Sequence, residues 1–545
     1  MKRYNPERLQ QELQNQLHAS PQTLQEWLHS PFYLDGDLVS EFWRHIKNAP
    51  KVAIVGDYDV DGVCAAFETI KAIKEVCPGK PIYARLPRRF SEGYGMNQNI
   101  VNEIKEKCPK GSVVITVDNG ISAADLLEGL EKDGYTVLMT DHHELKEGCR
   151  IPNVTMAIDP VVPGCDRGFS FTKWCGAAIA FKLAEQMVSE SLAHELQTYA
   201  GLATVADCME LNGGNWGLVK KALQDFRNGT APEPLKNIMK GLKQNPDFAT
   251  EDSFGFYIGP CLNAGGRLLD NGATESLKYL LNPTQEQLER LVNLNLQRRA
   301  LKEEQYGIVK QYVEDNHLQE NSMLWVALPN LHEGIVGILA GSLVEEYKMP
   351  AIVLTNIADD PNILKGSGRS VEGVNLFEYL NSLDEGTFIS MGGHPGAAGM
   401  KLTREKFEIA KNVPCERPVV AAEVVPSNRW HTTKDQIPEI YQLLQDYLPF
   451  GEGNPAPLFD ISIDMMRDDV RMIGAEKNHL CIQGKNENDE AYKITHWRHD
   501  ESDLSNPRSF GLYGRISGTN YMGIETPTLN ADGVYDPTAE DLELS

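Results

Sequence analysis

The chain has 545 residues, 41% of them hydrophobic and 24% charged, with a formal net charge of −25. Such a length exceeds one ordinary core and predicts roughly two to four domains. The charge excludes attachment to nucleic acid through a generally basic surface, while leaving room for a narrow basic channel or an acidic site inverted by bound cations.

Residues 1–50 read as a polar helical segment broken by Pro6, Pro21 and Pro31. Their basic start has no apolar core behind it, so it is not a secretory signal. From Lys51 short β-branched runs appear: VAIV (52–55), IYARL (82–86), VVITV (113–117), YTVLM (135–139) and VTMAI (154–158). Helix-compatible segments at 63–76, 97–107 and 122–132 lie between several of them. This alternation predicts a doubly wound parallel sheet, with ligands beyond the carboxyl ends of its strands. Mainly helical sequence over 172–230 follows within a first α/β domain assigned to 51–283. The charged, proline-free stretch 284–318 predicts a long connecting helix, and 319–415 a second α/β domain opening with LWVALPN and PAIVLTN. The turn-rich FGEGNPAPLF (450–459) leads into runs such as HLCIQG and AYKITHW, so 416–535 is expected to hold a small β barrel, followed by an acidic tail over 536–545. No run of about 18 apolar residues indicates a membrane span. The ten cysteines include no C-x-x-C pair and fit reduced thiols packed as small hydrophobes. The expectation is a cytoplasmic protein with no membrane partner.

GDYDVDGVCAAFE sets Asp57, Asp59, Asp61, Gly62 and Glu68 at the spacing of an EF-hand calcium loop. The run before it is strand-like, the ninth loop position would be the apolar Ala65, and residues from Val63 onward suit a helix. An EF-hand needs the opposite on each count, so that reading fails. Glu68 then reads as an ordinary helix residue. At a strand end, alternate residues point the same way, and bunched carboxylates need cations or raised pKa values. VVITV likewise runs into Asp118-Asn119-Gly120, YTVLMT into Asp141-His142-His143-Glu144, and VTMAI into Asp159, while Asp207 lies in the apolar GLATVADCMEL. One such Asp is often only a helix cap. Repeated acids plus a His pair at one sheet edge predict a binuclear metal centre. Its mixed donors suit Mn²⁺, with Mg²⁺ as the alternative. Two such ions would clamp a phosphoryl oxygen and generate hydroxide. Asp118 is the choice for the bridging ligand because its strand reads as central.

In order, GDYDVDG, VDNG, TDHHE and ADCMEL resemble the four motifs of the DHH phosphoesterase superfamily. GSGRS (366–370) and GGHPGAAGM (392–400) resemble its DHH-associated domain. LNAGGRL (262–268) and PFGEGNPAPLF (449–459) resemble the RecJ family of single-strand-specific exonucleases, and the likeness extends over about residues 50–500. It implies a DHH catalytic domain, a DHH-associated substrate-binding domain and an OB-like C-terminal domain. It also implies metal-dependent hydrolysis of single-stranded DNA from a 5′ end to mononucleotides, in recombination and repair. Of two Mn²⁺ ions, it gives Asp57, Asp59 and Asp118 to one and Asp61, Asp118, His142 and Asp207 to the other, with His143 just outside. On the phosphate side the candidates are Ser367 and Arg369 in a glycine-rich turn, His394, Arg267, Arg88 and Arg89. Tyr492, Trp497 and Tyr513 could stack on bases but suit core packing better. The last domain carries many acids, among them Glu487, Asp489, Glu490, Asp500, Glu501 and Asp503. Affinity is therefore expected from the central channel, with a single-strand-binding protein, helicase or other repair partner bringing DNA. The rival readings are a phosphodiesterase of short oligonucleotides or cyclic dinucleotides, a pyrophosphatase, and an inactive replication scaffold. The intact acids and histidines argue against the scaffold.

Overall fold

The computed structural model describes residues 2–536 apart from 30, 31, 33, 147, 168, 358, 359, 416–425, 427, 466, 467, 475, 476, 499–507 and 522. Pro31, Asp500, Glu501, Asp503 and the acidic tail beyond 536 therefore lie outside the described residues.

The first sheet has five parallel strands: β1 (Val52–Val55), β2 (Ile82–Arg85), β3 (Val113–Thr116), β4 (Thr136–Thr140) and β5 (Met156–Ile158). Their order is β2-β1-β3-β4-β5, which makes β3 the middle strand. Every residue of β1 and β3 is buried, as expected of a parallel sheet covered on both faces. The chain leaves β1 toward one edge and returns to β3 on the other side. Such a reversal opens a crevice at the carboxyl ends of the two strands.

The helix after β1 spans Val60–Val76 and begins three residues earlier than the sequence pattern suggests. Asp59 caps it, accepting a hydrogen bond from Gly62 N at 3.1 Å. Glu68 departs from the expectation of an ordinary helix position: it is 0% exposed, two turns below Asp61. Burial, and then the charge of Asp61, push its carboxyl well above the usual range. Helices Gly176–Ala184, Glu190–Ala206 and Gly213–Arg227 share this core.

The connecting helix runs Gln285–Asp315, capped by Thr284. Its Leu288 and Leu291 pack on the first domain, and its Val309 and Val313 on the second. The second sheet comprises β6 (Leu324–Ala327), β7 (Ala351–Ile357), β8 (Asp360–Arg369), β9 (Ser390–His394) and β10 (Ala397–Thr403), ordered β9-β10-β8-β7-β6. Only the β6–β7 pair is parallel, so this sheet is mixed.

The C-terminal sheet has eight strands and is also mixed. It is built around the long hairpin Ser509–Tyr521 and Ile524–Tyr535, and its edge strand is the N-terminal pair Lys2–Arg3, which runs beside Trp430–His431. The N-terminal segment is thus part of the C-terminal layer. Tyr492 and Tyr513 are half-buried, but Trp497 is 58% exposed, contrary to the core packing expected for it. Its ring centroid lies 4.8 Å from that of His479, edge to face. Among the described residues no helix is long and apolar enough to cross a membrane.

Candidate metal centre and phosphate cleft

Carboxylates arrive from the ends of β1, β3 and β4 and from the C-terminus of the helix Glu190–Ala206. Asn119 ties the first two strand ends together, donating from Nδ2 to the carbonyls of Val55 (3.0 Å) and Val117 (2.9 Å). Asp118 takes the left-handed φ of 60°, and Gly120 follows at φ 127°. A Cβ on Gly120 would lie 2.6 Å from Met139 Cγ, so the tight turn needs glycine there.

Among the described residues the possible ligand atoms fall into three groups, each within 4.8 Å: Asp57, Asp59 and Asp118; Asp61, His142 and Asp207; and Asp118, His142 and His143. His142 Nε2 is 3.0 Å from Asp118 Oδ1, 3.5 Å from Asp61 Oδ2 and 3.6 Å from Asp207 Oδ2. Asp57, Asp61 and Asp118 are at most 2% exposed. Burial first, then repulsion from Asp59, pushes the Asp57 carboxyl well above its usual range. Burial and Asp61 do the same to Asp118 and Asp207. Carboxylates that oppose one another's ionisation in this way fit a divalent cation. A set of oxygens with one or two imidazoles suits Mn²⁺ or Mg²⁺.

Several neighbours hold these groups in place. Gly176 N and Ala177 N, at the start of the helix Gly176–Ala184, donate to the two oxygens of Asp61 at 2.6 and 2.8 Å. A Cβ on Gly176 would sit 2.5 Å from Asp118 Cβ. His143 Nδ1 donates to Asp141 Oδ1 at 2.8 Å. The second oxygen of the buried Asp141 accepts from Ile121 N at 2.9 Å. Desolvation opposes charge on His143, but the Asp141 bond and the surrounding carboxylates hold its pKa up at about 9. Its side chain is 45% exposed, so the cation it forms faces the crevice. Tyr94 Oη donates to the Asp118 carbonyl at 3.0 Å and lies 3.1 Å from His143 Nδ1.

A basic group stands beside the acids, with Tyr58 between them. The Arg89 guanidinium lies 4.6 Å from the Tyr58 ring centroid. Gly266 packs on the Tyr58 carbonyl, where a Cβ would be 3.0 Å from the oxygen, and this brings in Arg267. Arg267 Nη1 donates to the Gly334 carbonyl of the second domain at 3.4 Å. Burial, then Arg89, Arg298 and Arg369, disfavour charge on Arg267; burial and Arg89 do so for Arg369. Arg369 Nη1 donates to Ser367 Oγ at 3.0 Å. Gly337 lets the helix Val336–Tyr347 approach both, since a Cβ there would be 3.2 Å from Ser367 Oγ and 3.3 Å from Arg369 Nη2. None of Arg89, Arg267, Arg298 and Arg369 forms an ion pair among the described residues.

Of the residues proposed from sequence, Asp57, Asp59, Asp61, Asp118, His142, His143 and Asp207 come together in the first cluster, and Arg89, Arg267, Ser367 and Arg369 in the second. Arg88 stands apart: it is exposed, and its charge acts on Asp270. His394 is exposed on β9, opposite Ala397, which in turn pairs with Arg369, so it shares that level of the sheet two strands away. Sequence reasoning did not assign Asp141, Tyr94, the Gly176–Ala177 amides or Arg298. Asp141 was visible inside TDHHE and Tyr94 inside FSEGYGMN. The amides and Arg298 carry no local signal.

Three family models match in order: the DHH family, N-terminal domain, over 51–209, the DHHA1 domain over 320–413, and the RecJ OB domain over 432–533. The single-stranded-DNA-specific exonuclease RecJ of Bacillus subtilis is 33% identical over 476 residues. That match covers 84% of this chain but 58% of the Bacillus protein, so the chain spans little more than half of that relative. The Escherichia coli protein of the same name is 27% identical over 82% of this chain and 80% of its own length. A crystal structure of RecJ with Mn²⁺ from Thermus thermophilus superposes with a TM-score of 0.73 at 21% identity, covering 99% of this chain and 79% of that one, a likeness of fold.

Proposed function

The chain belongs to the DHH family and carries the DHHA1 and RecJ OB domains after it, and from that premise we propose that it is a metal-dependent exonuclease for single-stranded DNA, acting from the 5′ end. The observation that carries this reading is the meeting of two unlike clusters at the β1/β3 crevice: buried carboxylates in overlapping ligand groups, and beside them arginines that form no ion pair among the described residues.

In this reading Asp57, Asp59 and Asp118 hold one Mn²⁺ or Mg²⁺, and Asp61, Asp118, His142 and Asp207 the other. When bound, such ions supply Lewis acidity toward phosphate oxygens and an attacking water. The Gly176 and Ala177 amides fix Asp61 with both of its oxygens engaged. Asp141 keeps the His143 ring turned into the crevice as a cation, able to donate to a phosphate oxygen. Arg369, Ser367, Arg89 and Arg267 receive a terminal phosphate, whose charge relieves their mutual repulsion. End dependence then follows from a pocket that needs a free 5′ terminus.

With a net charge of −25, the protein as a whole does not steer DNA toward itself. A single-strand-binding protein or helicase that hands over an end is the fitting class of partner. The exposed Trp497, edge to face with the half-buried His479, offers a stacking platform for a base further along the strand.

Digestion of end-labelled strands with Mn²⁺ tests the reading. Mononucleotides should come first from the 5′ label on single-stranded DNA, and slowly or not at all from duplex ends. Preferential release of the 3′ label, or turnover confined to dinucleotides and trinucleotides, would overturn it.

A further inference from the structure

The motif PFGEGNPAPLF lies far from the acids in sequence and contributes no ligand atom, yet it seats on the loop that carries Asp207. Asp207 ends the helix Glu190–Ala206. Its loop then turns back through Cys208, at φ 54°. Leu211 N donates to the Glu452 carbonyl at 2.7 Å. Gly453, at φ 68°, lies so close that a Cβ would be 3.1 Å from Glu210 Cβ and Cγ. Gly451 faces Leu211, where a Cβ would be 2.8 Å from Cδ1.

The turn is itself braced. Gly451 and Asn454 exchange backbone hydrogen bonds at 2.9 and 3.1 Å. The buried Asn454 side chain donates to the Pro449 carbonyl at 2.8 Å and accepts from Gln16 Nε2 at 2.6 Å. Phe450 N donates to Glu251 Oε1 at 3.2 Å. On the far side of the loop, Asn215 Nδ2 donates to the carbonyls of Glu210 (3.0 Å) and Lys173 (2.7 Å). Lys173 lies three residues before Gly176, whose amide holds Asp61. Contacts thus reach from 449–455 to Glu210 and Leu211, in the loop that follows Asp207, and to Asp61 through 173–176. They do not run to Asp57 or Asp59.

We propose that the turn 449–455 is a positioning element for the Asp61–His142–Asp207 cation site, so that a segment entering the C-terminal layer completes one of the two sites in the catalytic domain. The inference rests on the two-cation reading above. Groups that orient a metal ligand change affinity by about 10–100-fold when altered, and here the effect should fall mainly on the site of Asp61 and Asp207, because the contacts meet the other site only at the shared Asp118, beside Gly176.

The test titrates Mn²⁺ into the full chain, with free Mn²⁺ followed by electron paramagnetic resonance. The unaltered chain should bind two ions. Gly453→Ala should weaken one of them about 10-fold or more while sparing the other, and raising Mn²⁺ should restore turnover with KM for DNA unchanged. Gly451→Ala, which meets only a leucine side chain, should show the same selectivity more weakly and serves if Gly453→Ala does not fold. Ile461→Ala empties the C-terminal core without touching 207–212, and should cost stability with both affinities intact. Unchanged affinities in the folded glycine variants would overturn the proposal. So would equal weakening of both sites in all three variants. An unaltered chain that binds no Mn²⁺ pair would overturn the functional reading itself, and this inference with it.

Discussion

The acidic edge of the first sheet and the arginines on the other side of Tyr58 carry opposite charge and are assembled in opposite ways. Most of the acids come from neighbouring strand ends of one sheet, so backbone geometry brings them together, and Asp207 joins them from the end of the helix Glu190–Ala206. The arginines come from residues 89, 267, 298 and 369, on a loop, a short helix, the connecting helix and a strand of the second domain. Each cluster is unfavourable by itself: burial and like charges disfavour the ionised carboxylates and equally the charged guanidinium of Arg267. With 77 Asp and Glu against 52 Lys and Arg, ion-pair partners for these arginines were abundant. That they stand unpaired among the described residues fits the proposed reading, in which cations would complete one cluster and a phosphate the other.

The comparison is broken most completely at Asp118, which belongs to two of the three ligand groups. Asp118→Ala should reduce hydrolysis of 5′-labelled single strands at least about 10³-fold, more than loss of a single transition-state donor usually costs. Circular dichroism should remain unchanged, and retained Mn²⁺-dependent cleavage would move the shared ligand elsewhere. Arg369→Ala attacks the other pole. Losing a hydrogen bond to a charged group costs about 1.5–3 kcal/mol, or about 10- to 150-fold in kcat/KM on 5′-phosphorylated ends. Strands with a 5′-hydroxyl should lose much less. Equal losses on both would mean that Arg369 does not read the terminus.

The two poles also differed in how far sequence revealed them. The parallel sheet, the central place of β3 and the convergence of Asp57, Asp118 and His142 follow from strand–helix alternation and short spacings at strand ends. The helix after β1 began earlier than its apolar pattern because Asp59 serves as cap as well as candidate ligand. Glu68 was misjudged because a single buried acid on an apolar helix leaves no periodic signature; its burial depends on helices more than a hundred residues later. Trp497 was misjudged in the other direction, since a tryptophan at a strand end looks the same in sequence whether it turns in or out. Among the arginines, those inside glycine-rich motifs were legible. Arg298, on a long helix full of charges, was not, and the exposed Arg88 could not be told from Arg89 beside it.

The exposed Arg88, set against Arg267, gives the finest test of the basic pole. Each phosphate contact to a single strand contributes about −0.7 to the slope of log affinity against log salt. Arg267, held at the domain junction by the Gly334 carbonyl, should make one such contact. Arg267→Ala should therefore flatten the slope of log(1/KM) by about 0.7 between roughly 50 and 200 mM salt. Arg88→Ala should leave the slope unchanged, because that exposed charge acts on Asp270 instead. Arg267→Lys separates charge from geometry. A lysine keeps the counterion effect as a point charge but lacks the planar fork, so the slope should return while KM stays raised. If Arg88→Ala flattens the slope as much as Arg267→Ala, the basic pole is a diffuse surface field and not a group gathered across the domain junction.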